Sequence, residues 1–108
     1  MGFNTELLHG TKTGDPVTGA TLTPVYQSSA FFQPSAEQHE KLFHNKAAGY
    51  SYTRINNPTI AAFEERMTVL EKGVASVACA SGMAAITNAL LNIVGSGDEI
   101  IPSTSLHG

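Results

Sequence analysis

The spacing of apolar positions changes period twice in the second half of the chain, and each change predicts an element. Ile60, Phe63, Met67 and Leu70 recur three or four residues apart, with Glu64, Glu65, Arg66 and Glu71 on the other side, the stripe of an amphipathic helix. Asn57-Pro58 predicts its start, with Asn57 as N-cap and Pro58 at the first helical position, where its missing N–H costs nothing; Gly73 predicts its stop. Residues 74–80 are apolar without strict alternation, which predicts a strand covered on both faces of a parallel sheet. From Ser81 to Val94 the helical period returns, with Met83, Ile86, Leu90 and Ile93 on one stripe and Gly95 placed to follow the last turn. Gly97-Asp98 turns the chain and residues 99–102 form a second strand. Residues 74–102 therefore predict one right-handed βαβ unit of an α/β fold with a mainly parallel sheet.

The first half is richer in turns. Residues 11–23 hold Gly14, Asp15, Pro16 and Gly19 among threonines, too little apolar periodicity for a helix, and are expected to form an extended arm. Residues 24–32, with their β-branched and aromatic side chains, predict a short extended piece. Ser35 with Gln38 makes a capping box for a short helix that buries Leu42 and Phe43 and ends before Gly49. The expected organisation is an arm with a short helix over residues 1–56, followed by the beginning of a larger domain over residues 57–108.

Composition narrows the function. A chain of 108 residues with 42% hydrophobic content buries one modest core. A net charge of -3 with no basic cluster argues against nucleic acid or an anionic membrane surface as partner. The uncharged stretch over residues 73–97 is long enough to span a bilayer, yet Ser76, Ser81, Gly82, Thr87, Asn88 and Asn92 interrupt it, and its two halves have different periods. Cys79 is the single cysteine; between apolar neighbours it reads as a buried reduced thiol, which fits the cytoplasm. The N-terminus lacks the basic start and apolar core of a secretory signal.

The chemistry concentrates where the predicted strand breaks into a helix at Ser81-Gly82. A helix N-terminus carries unpaired N–H groups and a partial positive charge, so a phosphate placed there gains hydrogen bonds and field together, and Gly82 lets the backbone come close. The same residues also read as an ordinary strand-to-helix turn. In a parallel sheet this loop and residues 103–108 would flank one mouth at the carboxyl ends of the strands. A second constellation precedes the Asn57-Pro58 start: in an extended segment Tyr52 and Arg54 point to one side, and a phenol beside a guanidinium fork suits a phosphate dianion. A solvated arginine beside a packed tyrosine is the plainer alternative. Other chemistries lack their residues. Gly95-x-Gly97 follows a helix and misses the third glycine of a dinucleotide fingerprint, no nucleoside-triphosphate loop is present, and His39 and His44 are spaced one residue too far for a helical zinc pair.

The run GYSYTRINNPT, a helix ending LEKG, then ACASGMAAI and GDEII, together with the opening LLHGTKTGDPVTGATLTPVYQSSAF, resembles the pyridoxal-phosphate enzymes of cysteine and methionine metabolism over essentially the whole chain. The spacing from LFHNKAAG into YTRINNPT is most similar to the O-acetylhomoserine sulfhydrylases; cystathionine γ-synthases and the cystathionine and methionine γ-lyases share the other motifs. The resemblance implies an aspartate-aminotransferase-like domain of fold type I. It also implies pyridoxal 5'-phosphate as cofactor and an amino-acid substrate such as O-acetylhomoserine, whose γ-substituent is replaced by sulfide or a thiol. By the same resemblance, the backbone N–H groups of Gly82 and Met83 cup the cofactor phosphate. Tyr52 and Arg54 reach the phosphate bound in a neighbouring subunit of a homo-oligomer, so each active site is completed across a dimer interface.

Two departures qualify this. Similar sequences carry at position 107 a tyrosine that stacks on the cofactor ring, where this chain has His107, whose neutral imidazole offers less area and whose charged form would be repelled by a protonated pyridine. The family's Schiff-base lysine and the aspartate that pairs with the pyridine nitrogen lie beyond position 108. Lys12, Lys41, Lys46 and Lys72 have no surroundings that would activate an amine. The 108 residues alone are thus expected to be inactive, and a chain that only binds a phosphate ligand or a partner is the alternative.

Overall fold

The computed structural model describes residues 2–11 and 14–106. Among the described residues are four helices: α1 (Phe3–His9), α2 (Ala36–Phe43), α3 (Pro58–Leu70) and α4 (Gly82–Leu91). They belong to two compact units, Met1–Val77 and Ala78–Gly108.

In the first unit α1 packs on α3. Gly10 follows α1 at this junction, and a Cβ there would stand 2.5 Å from the Glu6 carbonyl oxygen and 3.1 Å from Val69 Cγ1. The short α1 has no side-chain cap at Gly2, so no start signal for it is legible in the sequence. The cap at α2 is as expected: Ser35 Oγ accepts from the Gln38 N–H at 3.1 Å. Asn57 caps α3, its Oδ1 accepting from the Thr59 N–H at 2.8 Å, with Pro58 opening the helix.

Helix ends depart from the glycine reading. α3 closes with Lys72 in the left-handed region at φ 53°, its N–H donating to the Val69 carbonyl and that of Gly73 to the Thr68 carbonyl. This is a Schellman closure with lysine where glycine is usual, so Gly73 follows the stop without forming it. Asn45, at φ 54°, closes α2 in the same way. The arm also differs from the extended form expected over residues 11–23. Asp15 folds it into a tight loop: its carboxylate accepts from the Thr18 hydroxyl at 2.6 Å and from the Val17 and Thr18 N–H groups. Its own N–H donates to the Ala20 carbonyl. The Thr18 hydroxyl first, then the Val17 N–H, holds the Asp15 carboxyl below the usual carboxylate range.

In the second unit Ser81 Oγ caps α4 by accepting from the Ala84 N–H at 3.1 Å. The helix ends at Leu91, three residues short of the predicted Val94. Gly95 is held instead by donating its N–H to Asp98 Oδ2 at 2.7 Å, and Gly97 takes the positive φ of 96°. No helix among the described residues is long and apolar enough to cross a membrane.

The predicted strands are the main difference. Residues 74–80 and 99–102 are not helical, but among the described residues the only β-pairing is an antiparallel bridge between Ala30 and Tyr52. The βαβ unit is therefore not formed as a hydrogen-bonded sheet in this chain. A parallel strand needs neighbours for its N–H and C=O groups, and consecutive strands of an α/β sheet often have other strands between them. Burial agrees. No hydrophobic side chain among the described residues is buried, and Met83 and Ile86 on the α4 stripe are 68% and 53% exposed. Covering such side chains would contribute about 1.5–3 kcal/mol each.

Candidate functional site

The Tyr52–Arg54 constellation lies in the first unit on a turn that the Ala30–Tyr52 bridge anchors. The Phe31 N–H donates to the Ser51 carbonyl at 2.9 Å and the Thr53 N–H to the Ser29 carbonyl at 2.8 Å, so the bridge is bonded on both flanks. The chain then turns, with the N–H groups of Ile55 and Asn56 both donating to the Tyr52 carbonyl at 2.9 and 3.1 Å. Tyr52 and Arg54 were expected to share a side through extended backbone. They share it through this turn, which brings the Arg54 guanidinium to 5.2 Å from the centre of the Tyr52 ring. Both side chains are exposed, and among the described residues no carboxylate pairs with Arg54. An unpaired guanidinium held against a phenol is free to take an oxyanion with charge-assisted bonds.

Beneath this turn lies Asn57, 3% exposed and the one buried polar residue among those described. An amide in that position is costly unless its hydrogen-bonding groups are engaged. Oδ1 caps α3 through Thr59, while Nδ2 donates to the Tyr26 carbonyl at 3.0 Å and to Thr53 Oγ1 at 3.1 Å. The Thr53 hydroxyl passes its own hydrogen to the Ser28 carbonyl, and the Tyr26 N–H donates to Thr59 Oγ1 at 2.8 Å. The cap at Asn57 is legible in the sequence; the bonds from its Nδ2 are not. The signal available is the choice of asparagine over serine or aspartate, since only the amide adds two N–H donors on an atom separate from the capping oxygen.

The second constellation opens α4. The Ala84 N–H is taken by Ser81 Oγ and the Ala85 N–H by the Ser81 carbonyl; among the described residues none accepts from the N–H groups of Gly82 and Met83. A Cβ at Gly82 would meet nothing within 4 Å, so the space in front of these two groups is open. Two free N–H groups at the positive end of a helix, with no side chain on the first of them, fit a phosphate group. His107 lies outside the described residues. Among those described, no cluster of three metal-ligating side chains occurs.

Comparison with known proteins adds a third line of observation. The family model described as "Cys/Met metabolism PLP-dependent enzyme" matches residues 4–108. The O-acetyl-L-homoserine sulfhydrylase of Corynebacterium glutamicum is 45% identical over 99% of this chain and 24% of its own length. The L-methionine gamma-lyase of Pseudomonas deceptionensis is 41% identical over the whole chain and 27% of its own length. Cystathionine gamma-lyase is also among the relatives. In structure, a putative O-acetylhomoserine (thiol)-lyase from Campylobacter jejuni, solved with N'-pyridoxyl-lysine-5'-monophosphate at its position 205, superposes with a TM-score of 0.80 at 33% identity. The match covers 91% of this chain and 24% of that one. The chain thus spans about a quarter of the length of the relatives it matches.

Proposed function

Because this chain belongs to the Cys/Met metabolism family of pyridoxal-phosphate-dependent enzymes, we propose that it supplies the phosphate end of the cofactor site of a γ-replacing transferase. The observation that carries this is the pair of unaccepted N–H groups, Gly82 and Met83, at the open start of α4. Tyr52 and Arg54 form the second phosphate contact, made to a cofactor in a neighbouring subunit of a homo-oligomer, with residues 1–56 lying on that neighbour. Residues 57–108 then begin the large domain, and residues 74–80 and 99–102 become strands of its parallel sheet once further strands flank them. His107 occupies the sequence position of the family's ring-stacking tyrosine. Pyridoxal phosphate, when bound, supplies an electron sink for the amino-acid substrate.

The proposed reaction joins O-acetylhomoserine and sulfide, or a thiol, to give homocysteine, or methionine, and acetate in the cytoplasm. The Cγ–O bond breaks with its electron pair leaving on acetate, and a Cγ–S bond forms. The 45% identity to a sulfhydrylase supports this outcome; the named γ-lyases support γ-elimination as the second reading. Among the described residues no lysine is placed to hold the cofactor: Lys41 is ion-paired with Glu37 at 2.8 Å on the surface, and Lys46 and Lys72 are exposed. On this proposal the 108 residues alone are inactive, and a chain that only binds phosphate or a partner is the remaining alternative. The test supplies the holoenzyme with O-acetylhomoserine and sulfide, and separately with methionine or cystathionine alone. Homocysteine and acetate from the first pair support replacement. Release of a 2-oxo acid and ammonia from methionine or cystathionine alone, with no homocysteine from the first pair, refutes it.

A further inference from the structure

We propose that the buried Asn57 and the half-buried Thr53 form a relay that positions the Tyr52–Arg54 clamp, so that Asn57 acts on phosphate binding as well as capping α3. The inference rests on the reading of Tyr52 and Arg54 as phosphate contacts. Thr53 stands between those two residues, and it is held at both ends. Its N–H donates to the Ser29 carbonyl at 2.8 Å, and its hydroxyl accepts from Asn57 Nδ2 at 3.1 Å while donating to the Ser28 carbonyl. The hydrogens therefore run in one direction, from the Asn57 amide through the Thr53 hydroxyl to the Ser28 carbonyl, an order in which each bond polarises the next.

With Thr53 turned inward and fixed, its neighbours on either side are presented outward, and both are exposed. The second Nδ2 hydrogen ties the same amide to the Tyr26 carbonyl, and Thr59, the residue that Asn57 caps, receives the Tyr26 N–H. One side chain thus locks the bridge-bearing segment, the clamp turn and the start of α3 together. In a chain whose described hydrophobic side chains are all at least partly exposed, this lock cannot be replaced by core packing. A loosened turn keeps its arginine but loses the orientation that a bidentate contact requires.

The relay and the cap separate by substitution. Asn57→Asp keeps an oxygen for the Thr59 N–H and removes both donors; Thr53→Val removes the relay hydroxyl and leaves the cap intact. Arg54→Gln tests the clamp itself. Each variant holoenzyme is stripped of cofactor and titrated with pyridoxal 5'-phosphate and with pyridoxal, which lacks the phosphate, and its thermal unfolding is followed in parallel. The expected result is a loss of about tenfold in affinity for the phosphorylated form with Asn57→Asp and with Thr53→Val, and unchanged affinity for pyridoxal. A merely structural role would lower stability and weaken both ligands equally, and that outcome overturns the proposal. If Arg54→Gln weakens the phosphorylated ligand while Thr53→Val and Asn57→Asp leave it at wild-type strength, the relay is refuted and the clamp stands. If Arg54→Gln itself has no effect, the reading beneath the proposal falls with it.

Discussion

Replacing Gly82 by alanine sets stability against binding. Gly82 is the first helical residue of α4, its backbone is outside the left-handed region, and a Cβ there would meet no atom within 4 Å. Nothing within the described residues requires glycine at this position. Alanine is favoured over glycine in helix interiors by about 0.8–1.0 kcal/mol, and the first turn is less constrained, so Gly82→Ala should stabilise the folded protein by about 0.5 kcal/mol. The phosphate reading predicts the opposite for the ligand. A methyl group beside the Gly82 and Met83 N–H groups would push an anion off at least one of them. A hydrogen bond to a charged group contributes about 1.5–3 kcal/mol, so affinity for pyridoxal 5'-phosphate should fall by about 10- to 150-fold. Urea unfolding of the apoenzyme gives the first quantity and cofactor titration by absorbance the second. A variant that is more stable and binds the cofactor at full strength would refute the reasoning.

Lys72→Gly should raise stability by about 1 kcal/mol in urea unfolding, because the left-handed closure of α3 costs a side-chain-bearing residue more than glycine loses in the unfolded chain; a lower midpoint would contradict this. Gly10→Ala should destabilise by about 1–3 kcal/mol, since its Cβ would overlap the Glu6 carbonyl and crowd Val69 where α1 meets α3, and a neutral result would show that this junction yields. The Asp15 carboxyl is lowered by the Thr18 hydroxyl and the Val17 N–H, so its contribution to the arm loop is present above the unfolded pKa and is lost as pH falls through the lower folded value. An NMR titration should place its midpoint below the ordinary aspartate range and Thr18→Val should move it back up; an ordinary midpoint in the wild type would contradict the loop geometry.

What the sequence disclosed and what it withheld follow from the range of the interactions. The caps at Ser35, Asn57 and Ser81 were legible because a side-chain oxygen serving an N–H two or three residues on is a local event. Helix ends were less so: glycine marks the common closure, but Asn45 and Lys72 take the left-handed position here and Gly73 and Gly95 do not. The Gly, Pro and Thr content of the arm excludes a helix, but composition alone does not reveal that the Asp15 carboxylate gathers three donors. Strands at residues 74–80 and 99–102 depend on partners distant in sequence, so their apolar character was visible while their pairing was not. At the site, spacing marks Tyr52 and Arg54 as neighbours, but a turn, not an extended segment, brings them together. The Asn57 relay joins residues about thirty positions apart, which no local pattern encodes.

The most direct measurement is the crystal structure of the holoenzyme with pyridoxal 5'-phosphate bound. The account predicts phosphate oxygens within hydrogen-bond reach of the Gly82 and Met83 N–H groups, with Tyr52 and Arg54 contributed to the same phosphate from a neighbouring subunit. A phosphate held by other residues, with the start of α4 and the Arg54 guanidinium both turned to solvent, would contradict it.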